Sequence, residues 1–338
     1  MSDAAALVRD ALVCDQLFPA TEACGTVADH EAMLGAMQRG GLSAVSLTMA
    51  YDPEDADTAL QRIGVWRRKI RENPEKYRLV RSAEDICAAK SADQLTVGLH
   101  FQGATPFTGH PESVRLFYEL GVRQAILVYN RESALGGGCH DPEDHGLTTR
   151  GRDILREMHE VGMFVDCSHT GHRTARDAMD MGTGPIFFSH ANAAALCPHP
   201  RNIPDDLALA SVQSGGLVGV CGVSVFFGRA DQLDDDLFAH VDHWVSLLGP
   251  ENVGLGLDTV SSFAAVQAAV AKEPGKWPAN AGYHVTDMAC CGPTAYEALT
   301  RRMLAAGYPE AACRGILGEN WLRAARRVWG GGAGEERT

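Results

Sequence analysis

Short apolar runs alternate with amphipathic stretches along most of the chain. Eight of the runs read as strands, at 11–14, 42–49, 96–101, 123–129, 163–168, 185–189, 216–224 and 253–257. Several are continuously apolar instead of alternating, which is the pattern of parallel strands covered on both faces. The intervening stretches at 111–120, 148–161 and 234–248 carry helical spacing and stop at Gly121, Gly162 and Gly249, the residue type that caps a helix C-terminus. Eight strands alternating with helices predict an α/β fold, a (β/α)8 TIM barrel, whose usual size is about 250 residues. The barrel is expected to occupy residues 1–329, with extra C-terminal helices at 294–306 and 319–328 and a Gly- and charge-rich tail at 330–338. A doubly wound sheet is the structural alternative.

Composition narrows the function classes. The chain has 338 residues, 45% of them hydrophobic, which is wrong for a disordered protein. Its net charge of −13 and lack of a basic stripe argue against nucleic acid as a partner. No apolar run approaches the roughly 20 residues that span a bilayer, so no membrane partner is expected. The N-terminal stretch carries acids where an export signal carries bases, which points to the cytoplasm. Ten cysteines are scattered without a CxxC pair and do not form a disulfide framework.

Chemistry in such a barrel collects where strands end, because the following loops converge on one mouth. The first run closes at Asp15, the third at Gln102, the fourth at Tyr129 and Asn130. The fifth closes at His169, the sixth at His190 and the eighth at Asp258. Two strands ending in Ser-His and a third ending in Asp suggest imidazole metal ligands with a carboxylate that handles a proton. The plainer reading, that each histidine caps its strand on a loop carbonyl, weakens when all three occur together. His100 shares the inward parity of Gln102 and reads as a buried, hydrogen-bonded histidine, and Cys167 reads as a packed core thiol.

The stretches GLTTRGRDILREMHEVGMFVDCSH, GPIFFSHANAAALCPHPRNIPDD, NVGLGLD and ILGENWLR occur in this order. Together they resemble the membrane (renal) dipeptidase family of the amidohydrolase superfamily, from about residue 10 to residue 325. The family carries two zinc ions in the barrel mouth. The resemblance makes His169 and His190 the histidines of one metal, Asp258 the acid on the bridging hydroxide, and Arg201 the anchor of the substrate carboxylate. It also shows what is missing. Leu17 and Pro19 stand where the family has the His and Asp of its other metal. Gln102 replaces the bridging glutamate, and Tyr129 replaces a histidine that contacts substrate. A neutral amide cannot bridge two cations as a carboxylate does.

The resemblance therefore implies a divergent metal-dependent hydrolase with one zinc instead of two. Its substrate is expected to be a small carboxylate-bearing amide or dipeptide-like compound, and a homodimer is expected by resemblance alone. His169 and His190, helped by Gln102 and Asp15, are the expected metal ligands. Asp258 and Tyr129 are the expected catalytic groups, and Arg201 and Asn130 the substrate contacts. Two alternatives stay open: a lyase, isomerase or demethylation-type enzyme on an amino-acid derivative, and a non-catalytic binding protein.

Overall fold

In the computed structural model, which describes residues 3–229, 231–284 and 287–329, the apolar runs lie side by side as parallel strands. They are β1 (Cys14–Phe18), β2 (Ala44–Tyr51), β3 (Tyr77–Leu79), β4 (Leu95–Gln102), β5 (Val122–Ile126), β6 (Phe164–Asp166), β7 (Ile186–Phe187), β8 (Val218–Val220) and β9 (Val253–Leu255). The pairing order runs β1-β2-β4-β5-β6-β7, with β3 set beside β4, and β8 pairs with β9. A parallel bridge from Phe188 to Val218 carries the sheet from β7 to β8. The ring closes where Asp258 N–H donates to the Leu17 carbonyl at 3.2 Å. The eight expected strands thus form a TIM-like barrel ringed by helices, and the expected tail at 330–338 lies outside the described residues.

Two differences from the expected strands have simple causes. The first strand begins at Cys14 and not at residue 11, because Ala4–Asp10 is a helix whose last turn is closed by Ala11 N–H on the Leu7 carbonyl. β3 is only three half-buried residues, too few for a period to show. The helix expected at 148–161 is observed as Thr149–Val161, capped by the Thr148 side chain and stopped by Gly162 at φ 77°. Two glycines hold the strands that carry the site at close range. A Cβ at Gly219 would lie 2.0 Å from the Ser189 carbonyl oxygen, and one at Gly256 2.1 Å from it. No side chain fits between these strands and the segment bearing His190.

The late start of β1 changes the role of Asp15. It sits inside the strand, fully buried. Its Oδ1 accepts the Leu17 and Leu257 N–H groups at 3.1 and 3.0 Å, and its Oδ2 accepts the Tyr296 hydroxyl at 3.1 Å. Asp15 therefore fastens the seam between the first and last strands and is corrected from metal helper to barrel closure. Burial pushes its carboxyl up to about 7 against these donated hydrogen bonds. A raised acid favours folding while it is protonated, so this contribution is complete below pH ~4 and lost as pH climbs through about 7. Asp15→Asn keeps the shape of the seam and removes that loss. Thermal melts at pH 5 and pH 8 should show a smaller drop for the variant than for the parent chain.

Candidate active site

Among the described residues, four non-glycine residues adopt left-handed backbone, and three of them follow strands at the barrel mouth: Asn130 (φ 61°), His169 (φ 64°) and Asp258 (φ 57°). Such conformations are tolerated for Asn, Asp and His but remain costly, and they concentrate where side-chain aim matters. Here the turned backbone aims His169 and Asp258 at the mouth and sets Asn130 behind the His169 ring.

The two histidines meet. His169 Nε2 and His190 Nε2 are 3.0 Å apart. Behind them, His169 Nδ1 faces Asn130 Oδ1 at 2.6 Å, and His190 Nδ1 faces Ser189 Oγ at 2.7 Å. Asn130 Nδ2 donates to the Lys276 carbonyl at 3.2 Å, so Asn130 Oδ1 is the acceptor and His169 Nδ1 carries the proton. His169 Nε2 is left with a free lone pair. The Ser189 hydroxyl can donate or accept, so His190 can direct either an N–H or a lone pair at the same point. Burial first, and the Arg201 charge second, push both imidazoles well below their ordinary value. Both are neutral near pH 7.

Asn130 is fully buried and its amide is committed at both ends. The structure thus corrects it from a substrate contact to the residue that fixes the His169 tautomer. The Tyr129 ring stacks on His169 with centroids 4.2 Å apart and an interplanar angle of 30°. Its hydroxyl accepts the Trp277 Nε1–H at 3.3 Å. Its backbone N–H donates to buried Asp52, whose other oxygen is held by Thr105.

Asp258 lines the mouth pocket together with His169, Tyr129 and Gln102. Loss of solvation raises its carboxyl to about 6, with the Arg201 guanidinium pulling the other way. Arg201 is buried. Its Nη2 donates to the His190 carbonyl at 2.6 Å, while its Nε has no partner among the described residues. A buried guanidinium N–H left open is a strong request for an anion. Gln102 Nε2 donates to Thr48 Oγ1 at 3.0 Å. Thr48 and Ser46 hold His100 at 2.9 Å on each ring nitrogen, so His100 is the satisfied interior histidine that the strand parity predicts.

The donor set decides how much metal the site can take. Two nitrogens on one tetrahedral zinc lie about 3.3 Å apart, and the two Nε2 atoms are close to that separation with oxygens behind each ring, as metal-bound imidazoles have. The described residues contain no group of three or more His, Cys, Asp or Glu placed to hold an ion. Leu17 is fully buried, Pro19 offers no donor, and the Gln102 amide is turned to Thr48. The residues present fit an ion held by the two imidazoles, with water or substrate completing its shell.

Tyr51, Trp277 and Tyr283 also line the pocket and were not expected from the sequence. Tyr51 had a signal, since it closes β2 as the other candidates close their strands. Trp277 and Tyr283 come from the segment after the last strand, where no period points inward.

Residues 7–270 match the membrane dipeptidase family of peptidases. A solved structure of an amidohydrolase from Pseudomonas aeruginosa is similar over 97% of this chain and 100% of its own, at 28% identity and a TM-score of 0.88. An uncharacterised protein from the pqqA 5' region of Klebsiella pneumoniae is 28% identical over 81% of this chain and 97% of its own length. Dipeptidase ataJ of Aspergillus terreus is 30% identical over 59% of this chain and 54% of its own. With its barrel, its paired histidines and its arginine in place, the chain belongs to the membrane dipeptidase family, a family of metal-dependent hydrolases that act on small molecules.

Proposed function

We propose that this chain hydrolyses a small carboxylate-bearing amide or dipeptide-like substrate, using one metal ion where the family resemblance implies two. The observation that carries the reading is a buried Arg201 whose Nε–H has no partner among the described residues and whose charge acts on Asp258, a mouth-pocket carboxyl raised to about 6. The first can hold a carboxylate and the second can exchange a proton near neutral pH.

The substrate carboxylate takes the Arg201 N–H that no protein group uses. This sets the scissile amide beside His169 and Asp258. Asp258, ionised above pH about 6, removes a proton from the attacking water. The water oxygen bonds to the amide carbon, and the C–N bond then breaks. Asp258 returns its proton to the leaving nitrogen, so it ends as it began. His169 and His190 would hold a metal ion, whose charge would polarise the carbonyl and acidify the attacking water. Tyr129, stacked on His169, keeps that ring from swinging and keeps water from its face.

The test is product analysis by mass spectrometry on a set of dipeptides and N-acyl amino acids with free carboxylates. Cleavage that disappears when the carboxylate is amidated supports the reading. Turnover of amidated and free forms at equal rates, or no cleavage with zinc supplied, overturns it. The His169 tautomer gives a finer check. Asn130→Ala should lower kcat by about 10- to 100-fold, since partners behind a ligating histidine carry effects of that size. Asn130→Asp, which keeps an acceptor, should recover most of it.

A further inference from the structure

Residues 275–284, beyond the helix Phe263–Lys272, form a strap fastened to the barrel mouth by hydrogen bonds along its length. The Gly275 carbonyl accepts from Arg131 Nε at 2.6 Å and the Lys276 carbonyl from Asn130 Nδ2 at 3.2 Å. Trp277 Nε1 donates to the Tyr129 hydroxyl, and the Tyr283 hydroxyl meets His140 Nε2 at 2.8 Å. Between them, Pro278 leads into a single turn over Ala279–Ala281, which Gly282 ends at φ 79°. The carbonyl that closes such a turn needs a partner from outside it. For Ala281 that partner is His199 Nε2, at 2.8 Å. The strap's apolar side chains, Trp277, Ala281 and Tyr283, pack with Val223, Phe226 and Val270 in a small cluster apart from the barrel core. A segment with so small a core of its own can lift without unfolding the barrel.

The His199 tie has a second end. A carbonyl can only accept, so His199 Nε2 carries the proton that goes to Ala281. The Arg201 backbone N–H can only donate, and it reaches His199 Nδ1 at 3.0 Å. Both nitrogens of one rigid ring are thereby spent. Burial lowers the His199 pKa, which keeps the ring neutral and Nδ1 able to accept. Pro200 stands between the two residues, and its fixed φ leaves the loop little freedom to absorb a shift. The same Phe226 ring lies 5.1 Å from the His199 centroid and 5.5 Å from the Arg201 guanidinium. The ring thus joins the strap to the backbone from which the Arg201 side chain leaves, while Arg201 Nη2 is held by the His190 carbonyl at its other end.

We propose that His199 is a positioning residue: it ties the docking of the 275–284 strap to the placement of Arg201, so that a carboxylate on Arg201 and a docked strap favour each other. Linkage makes the effect reciprocal, so it can be read from either end. This assignment rests on Arg201 receiving the substrate carboxylate, as proposed above.

Trypsin can cut after Lys276 only when the strap lifts, because the docked Lys276 carbonyl is held by Asn130. The rate of that cut in the full-length protein is followed by mass spectrometry with N-acetylglycine and with N-acetylglycinamide, its uncharged analogue. Saturating acid should slow the cut about tenfold, within the usual range of coupling between two sites, and the amide should leave it unchanged. His199→Asn keeps an acceptor for the Arg201 N–H and loses the donor to Ala281; His199→Gln does the reverse. Each should abolish the protection, and each should raise KM for a cleaved N-acyl amino acid about tenfold with kcat little changed. Tyr283→Phe breaks a different tie, so it should speed the cut and keep the acid-specific protection. Equal protection by acid and amide, protection that survives in both His199 variants, or its loss in Tyr283→Phe overturns the coupling. Cleavage of N-acyl amino acids without acid-specific protection overturns the coupling and leaves the hydrolase. Acid-specific protection without cleavage of any N-acyl amino acid overturns the hydrolase and leaves the coupling.

Discussion

Asp258→Asn should lower kcat by about 10³-fold while the protein stays folded, because removing a positioned acid/base group costs in the range of 10² to 10⁴. The amide keeps the shape of the side chain, so the left-handed backbone at this position is undisturbed. The parent enzyme should show a rising limb in its pH–kcat/KM profile near pH 6, where the Asp258 carboxyl ionises. The residual activity of the variant should have no such limb. Stability should move the other way. The folded pocket raises the Asp258 pKa, so its favourable contribution is present below pH ~4 and fades as pH passes about 6. The variant escapes that loss, and its melting temperature at pH 8 should equal or exceed the parent's. A variant that keeps full activity removes Asp258 from the chemistry.

Arg201 should have an effect of similar size through binding. Arg201→Lys keeps the charge but loses the planar fork and the Nε–H that no protein group uses among the described residues. A lost charge-assisted contact of about 2–5 kcal/mol corresponds to a fall in kcat/KM between about 30- and several thousand-fold. Arg201→Ala should also shift the rising limb upward, because the guanidinium is what holds the Asp258 carboxyl down against burial. A structural loss alone would not move that limb. Activity toward a substrate whose carboxylate has been amidated should be nearly the same in the parent and both variants.

The barrel was legible because its signals are local and repeated. Buried parallel strands write continuous apolar runs, and Gly162 or Gly249 marks where each helix stops. Strand ends were legible for the same reason: His169 and Asp258 line the mouth pocket, and His190 Nε2 lies 3.0 Å from His169 Nε2. What the sequence hid depends on partners far along the chain. Asp15 looks like a strand-end carboxylate until Leu257 and Tyr296, more than 240 residues away, are seen to occupy it. Asn130 looks like a ligand contact until its amide is found between His169 and Lys276. Trp277 carries no period at all, yet it forms one wall of the pocket.

On the proposed function, the imidazole pair holds one ion, and Leu17, Pro19 and Gln102 leave nothing to hold a second. Titrating metal-stripped protein with zinc, and counting bound zinc after gel filtration by elemental analysis, tests this most directly. Saturation at one zinc per chain is expected for the parent, and no bound zinc for His169→Ala or His190→Ala. Two zinc ions per chain, none at saturation, or one retained by both histidine variants would contradict it.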